Sequence, residues 1–166
     1  MKLYVLRHAE AEDGGAGIED EARRLTVRGE ERMREAAKGL HRLDVTFETL
    51  LTSPLNRAAE TAAIVAAAYD NEPPPQVLAE LGTGVSPAQL VTALTPIARR
   101  GDAIIVGHEP QLSGFLSIAL TGAPNRLQIE FKKGSCAALE VVGRLDRGES
   151  TLLWMLTQRQ LRKISK

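Results

Sequence analysis

Cysteine is nearly absent from this chain: Cys136 is its only one, so no internal disulfide can form. That fits a reducing compartment, and it leaves the fold to rest on packing alone. Cys136 sits in an apolar run and reads as a small core residue rather than a nucleophile. An excess of either charge is missing as well, since Lys plus Arg and Asp plus Glu both number 21. A neutral chain has no electrostatic footprint for nucleic acid or an acidic membrane surface. Any affinity for phosphate must then come from a local cluster of charge. No basic start leads into a long apolar segment, which predicts neither a signal peptide nor a membrane span. A cytoplasmic protein is expected, with no nucleic-acid and no membrane partner.

At 166 residues, with 43% hydrophobic and 25% charged residues, the chain is long enough to bury a core as a single domain over 1–166. The run Leu3-Tyr4-Val5-Leu6 has the unbroken apolar pattern of a strand buried on both faces. Arg7, His8 and Glu10 follow directly. Taken alone, such a pair of polar residues is a solvated strand end. The stretch from Glu12 to Arg24 is glycine-rich, then acidic, and reads as a long loop. Thr26 is a helix cap, and Met33, Ala36, Ala37, Leu40 and Leu43 fall on one helical face. His41 reads as a solvated residue at the end of that helix.

Thr49 to Thr52 is a second short strand, and Ser53-Pro54 signals a helix start with Arg57 in its first turn. Residues 71 to 75 form a breaker-rich linker, and Gln76 to Leu78 a further strand that ends near Glu80. Ser86-Pro87 repeats the cap signal, Leu90, Val91, Leu94 and Ile97 give the next helix its stripe, and Arg99-Arg100-Gly101 closes it. Ala103 to Val106 is the clearest buried strand; Gly107-His108-Glu109-Pro110 ends it, and a helix runs on to Gly122. Leu127 to Phe131, Ser135 to Val142 and Thr151 to Met155 read as shorter strands, with Asp146-Arg147-Gly148 a hairpin signal. Trp154 reads as core, and the tail from Gln158 to Lys166 as a frayed helix. Strands alternating with helices predict an α/β fold with a mostly parallel sheet.

In a parallel sheet the carboxyl ends of the strands lie along one edge, where ligands bind. Arg7-His8, Ser53 with Arg57, Glu80 and His108 would therefore meet there. Cations gathered in one cleft repel each other, and a bound dianion such as phosphate relieves that cost. The arginine fork suits phosphoryl oxygens. A neutral imidazole can attack phosphorus and form a covalent phospho-enzyme, provided its other nitrogen donates to a fixed acceptor. A second, protonated imidazole can stabilise charge on the equatorial oxygens.

Leu6-Arg7-His8-Ala9-Glu10, Arg23-Arg24-Leu25-Thr26 with Gly29, Thr52-Ser53-Pro54-Leu55-Asn56-Arg57-Ala58 with Thr61, and Gly107-His108-Glu109-Pro110 occur in this order. The chain resembles the histidine phosphatase superfamily, whose fold is that of cofactor-dependent phosphoglycerate mutase. Its short length and lack of a large insertion after Arg57 look like the SixA-type phosphohistidine phosphatase branch. The resemblance implies a three-layer α/β/α, phosphoglycerate mutase-like fold and no cofactor or metal. It also implies that His8 is the nucleophile, with Arg7, Arg57 and His108 forming the phosphate pocket. Ser53 and, near the mouth, Arg23 are added as substrate-binding candidates. Ala9 departs from the glycine common after the catalytic histidine. Glu80 is the positional candidate for the general acid, or else a residue that hydrogen-bonds within its loop.

A weak acid is tolerable for one substrate class. Phosphohistidine can be protonated from solvent on its second ring nitrogen and leave as neutral imidazole, whose conjugate acid has a pKa of roughly 6.5. An alkoxide needs a positioned acid far more. The expected substrate is therefore phosphohistidine in a protein such as a phosphotransfer domain. The alternative is a small phosphate monoester or polyphosphate. Two readings stand further off: a metal hydrolase using His8, Glu80, His108 and Glu109, which Arg7 and Arg57 oppose, and a non-catalytic phosphate-binding module.

Overall fold

Four buried apolar segments, residues 3–6, 50–51, 103–106 and 136–139, make the centre of one six-stranded sheet. The computed structural model describes every residue except 16, 18, 70–72 and 98–100. The strands are β1 (Lys2–Arg7), β2 (Thr49–Thr52), β3 (Gln76–Val77), β4 (Ala103–Gly107), β5 (Cys136–Val141) and β6 (Ser150–Leu156). Their order is β3-β2-β4-β1-β5-β6, with the first four parallel and β5 and β6 antiparallel. The mostly parallel sheet read from the sequence is thus present, closed on one side by a hairpin.

Helices α1 (Val27–Arg42), α2 (Asn56–Ala66) and α5 (Gln158–Ile164) cover one face. Their Met33, Ala37, Leu40, Ala62, Val65 and Leu161 pack with Leu6, Leu50, Ile104 and Val106 of the sheet. Helices α3 (Pro87–Leu94) and α4 (Gln111–Thr121) cover the other, where Leu90, Leu94, Phe115 and Leu116 meet Val5, Leu51, Ile105 and Leu139. The alternation of side chains along each strand divides the apolar residues between the two cores. This is the three-layer α/β/α arrangement.

Several local signals land as expected. Thr26 caps α1 by accepting from the Gly29 amide, and Ser86 forms a reciprocal capping box with Gln89. Gly122 ends α4 at φ 79°, a left-handed conformation that favours glycine. Two segments differ from expectation. Helix α2 begins at Asn56 with Leu55 as its cap, three residues past Ser53, whose hydroxyl accepts from the Leu55 amide at 3.3 Å and lies 2.8 Å from His108 Nε2. Leu127 to Phe131 is irregular rather than a strand: the Ser117 hydroxyl takes the Arg126 and Leu127 amides, and Arg7 takes the Phe131 carbonyl. The Asp146-Arg147-Gly148 hairpin signal falls where expected, in the connection between antiparallel β5 and β6, which turns through a 3-10 segment at Leu145–Arg147. The Arg99-Arg100 helix end and the Asn71-Glu72 part of the linker lie outside the described residues.

The tail is not frayed. Thr157 and Gln160 form a capping box, Arg162 reaches Glu35 at 2.7 Å, and Leu161 is fully buried. Helices α1 and α5 approach so closely that a Cβ at Gly39 would collide with the Leu161 carbonyl oxygen. Overpacking of this kind typically costs 1–3 kcal/mol. Gly39→Ala is therefore expected to lower stability by about 2 kcal/mol in urea unfolding while leaving turnover per folded molecule unchanged. An unaltered unfolding midpoint would contradict the close approach.

Candidate active site

The register of β1 against β4 pairs Arg7 with Gly107, so the next residues, His8 and His108, leave the sheet side by side. Their rings lie 5.0 Å apart, centre to centre. Strand β2 ends level with them, its Thr52 paired with Val106, and delivers Ser53 to the same edge. In the first turn of α2, Arg57 reaches this edge too. His8, His108 and Arg57 are each no more than 5% exposed, so their charges would be poorly screened by water.

The His8 Nδ1–H donates to the Ala9 carbonyl at 2.7 Å. Because a carbonyl can only accept, the proton of the neutral ring is on Nδ1, and Nε2 carries a free lone pair. The Ala9 amide in turn donates to Thr61 Oγ1, and that hydroxyl donates to the Arg57 carbonyl. The turn bearing His8 is thereby tied to α2. On the other side, His108 Nε2 lies 2.8 Å from the Ser53 hydroxyl. His108 Nδ1 is buried and has no partner among the described residues. It is the nitrogen left for a ligand.

Arg7 donates to the Phe131 carbonyl at 2.7 Å, and its Nε is buried without a partner among the described residues. Arg57 donates to the Asp20 carbonyl and, at 2.9 Å, to the Asp20 carboxylate. The second oxygen of Asp20 takes Arg23 at 2.8 Å, while Arg23 Nε donates to the Glu12 carbonyl. Hydrogen bonds from Arg23 and Arg57 hold the Asp20 carboxyl below the usual carboxylate range. Sequence reasoning missed Asp20 because one acid in an acidic loop has no distinguishing pattern.

The remaining candidates stand further back. Ser53 is fully buried behind His108, so its hydroxyl orients that ring. Arg23 stands one carboxylate away from Arg57, at the mouth. Glu80 is half-buried in a 3-10 turn at Ala79–Leu81. Its main-chain carbonyl accepts from Gln111, and among the described residues its carboxylate makes no hydrogen bond or ion pair. The described residues contain no group of three His, Cys, Asp or Glu side chains that could hold a metal ion.

Comparison with known proteins agrees with this geometry. A model of the histidine phosphatase superfamily (branch 1) matches residues 3–82, which include His8 and Arg57. An uncharacterised protein of Picosynechococcus sp. is 35% identical over 164 residues, covering 95% of this chain and 96% of its own length. The chain belongs to the histidine phosphatase superfamily. Among solved structures, the protein histidine phosphatase SixA complexed with tungstate superposes with a TM-score of 0.82 at 24% identity, over 97% of this chain and 99% of that one. The α-ribazole phosphatase of Shigella flexneri gives 0.73 at 20% identity, over 95% and 97%. These likenesses establish a phosphoglycerate mutase-like fold of SixA type.

The ligand-free site of this phosphatase keeps its histidines neutral. Burial pushes His8 down to about 3, against the raising effect of the Ala9 hydrogen bond and with help from the charges of His108, Arg57 and Arg7. Burial, then Arg57 and Arg7, lowers His108 to about 4, while the Asp20 charge opposes them. Burial also lowers Arg7, with the Glu109 carboxylate working against it. A bound dianion reverses the sign of the field. His108 is therefore expected to take up a proton when phosphate or tungstate binds at about pH 6, just below the free histidine value of ~6.5. Calorimetry in buffers of different ionisation heat would show it; a binding heat independent of buffer would contradict it.

The same shifts set a stability profile for the ligand-free protein. Below about pH 6.5 the unfolded chain binds protons that the folded histidines refuse. Stability is full above that pH and falls as pH drops toward the folded values of about 4 and about 3. Urea midpoints between those limits should decline with acid, and less so in a His108→Gln variant.

Proposed function

We propose that this chain hydrolyses the P–N bond of phosphohistidine in a protein of the phosphotransfer-domain type, through a covalent phosphate on His8. The observation that carries the reading is the Nδ1–H bond from His8 to the Ala9 carbonyl, which leaves Nε2 as an unprotonated nucleophile. Nε2 attacks phosphorus, the P–N bond breaks, and the phosphate resides on His8 until water removes it. Arg7, Arg57 and a protonated His108 bind the equatorial oxygens, where negative charge is greatest during transfer. Ser53 holds His108 with Nδ1 toward the phosphate.

The substrate class follows from the acids. Asp20, bonded to Arg57, is held ionised by two guanidiniums and makes a poor proton donor. Glu80 has no hydrogen bond to any group of the site among the described residues. A site so arranged favours a leaving group that departs neutral, as imidazole does, over an alkoxide. The SixA-type fold supports the same choice. Hydrolysis of small phosphate monoesters is the second reading, supported by the overlay on the α-ribazole phosphatase over 95% of this chain.

Brief exposure to a radiolabelled phosphohistidine peptide should leave acid-labile phosphate on the wild-type protein. His8→Ala should acquire none and lose activity by on the order of a thousandfold or more. Wild-type protein that turns over substrate without ever becoming labelled would sink the covalent route. Parallel rates on phosphohistidine and on small esters decide between the two substrate readings.

A further inference from the structure

Beside the phosphate pocket lies a cleft of about 310 Å³, walled by the 82–87 loop on one side and by His108 to Gln111 on the other. It shares His108 with the phosphate site. Its lining is mostly apolar: Val85, Pro87 and Pro110 contribute, and Gly82 and Gly84 add no side chains. The wall is preformed, because the Gln111 amide donates to the Glu80 and Val85 carbonyls at 2.8 and 2.9 Å and pins the loop onto the start of α4. In-line attack by His8 sends the leaving group away from His8, and this cleft adjoins the pocket at the second histidine. It is small and mostly apolar, with room for a planar ring.

Glu109 is the carboxylate in that lining. It is half-buried and lines the cleft next to His108, and its charge is felt at Arg7. One oxygen, Oε1, accepts from the Ser113 amide at 2.8 Å and caps the first turn of α4. The other has no hydrogen bond or ion pair among the described residues. Capping explains one oxygen and leaves the second unused at the mouth of an apolar cleft.

Resting on the function proposed above, we infer that the cleft is the leaving-group subsite and that Glu109 binds the imidazole of phosphohistidine there. Its free oxygen accepts a hydrogen bond from the ring nitrogen that does not bear phosphorus. This favours the ring protonated at that nitrogen. When His8 Nε2 bonds to phosphorus, the electron pair of the P–N bond stays on the departing nitrogen. The ring leaves as neutral imidazole with its N–H intact. Glu109 stays a carboxylate throughout and transfers no proton. The subsite selects a leaving group that carries an N–H opposite the scissile bond.

Glu109→Gln separates this role from capping, since the amide oxygen can still accept from Ser113 while the charge is gone. On a phosphohistidine peptide kcat/KM should fall by about tenfold or more, the loss of one charge-assisted hydrogen bond. On p-nitrophenyl phosphate, whose leaving group needs no proton, it should stay within about twofold, since that charge-assisted bond is not used. The phosphohistidine defect should shrink in acid, where solvent protonates the ring unaided. Equal losses on both substrates, no loss on either, or a defect confined to alkyl phosphates would overturn the role of Glu109. Wild-type protein that hydrolyses p-nitrophenyl phosphate but never phosphohistidine would overturn the substrate reading, and this inference with it. Full phosphohistidine turnover in Glu109→Gln overturns the inference alone.

Discussion

The site depends on crowding positive charge around a buried imidazole. Arg7 and Arg57 both reach the edge where His8 and His108 leave the sheet, and little water is present to screen them. Like charges in a medium of reduced dielectric repel by several kcal/mol at contact distances of about 4 Å. The protein meets this by dispersing each charge. Arg7 is turned partly onto the Phe131 carbonyl, Arg57 onto the main chain and carboxylate of Asp20, and both histidines give up their protons. A dianion in the proposed pocket would supply the missing negative charge and favour the proton on His108. Neutral His8 results first from burial and then from that crowding, and it is what nucleophilic attack in the proposed reaction requires.

Backbone register makes the crowding possible. Parallel pairing of β1 with β4, and of β4 with β2, brings His8, His108 and Ser53 to the same level from positions about fifty residues apart or more. A slip of one residue would send each of these side chains to the opposite face. The two apolar cores prevent it, because Leu6 and Val106 would then have to trade places with Val5 and Ile105. Catalytic geometry and core packing are therefore one constraint. The Ala9–Thr61–Arg57 chain of hydrogen bonds carries that constraint from the sheet edge into α2.

What could be read from the chain beforehand follows from this. Unbroken apolar runs, cap residues and strand-end polar groups are local patterns, and they located the parallel sheet, four of the helices and the quartet Arg7, His8, Arg57 and His108. Interactions between distant segments were not legible. Nothing near Ser53 marks it as the partner of His108, and its cap-like neighbourhood with Pro54 reads as a helix start three residues before α2 begins. Leu127 to Phe131 alternates like a strand, yet its main chain is spent on Ser117 and Arg7. The tail is polar enough to read as frayed; one buried Leu161 against Gly39 anchors it.

The carboxylates complete the division of labour. Asp20 lies between two arginines on the phosphate side, where its charge holds the guanidiniums in place and opposes the depression of His108. Glu109 sits on the far side of His108, with one oxygen committed to a helix cap and the other facing no protein partner among the described residues. Two acids of similar intrinsic strength have different surroundings, one bound to cations already present and one with an oxygen that, in the proposed reading, would meet a cation arriving with the substrate. A protonated phosphoimidazole carries that pattern of charge, anionic at phosphorus and cationic on the ring. In the proposed reading the guanidiniums would face the first and the Glu109 carboxylate the second, an arrangement suited to a phosphoramidate more than to an ester, whose leaving group brings no positive charge.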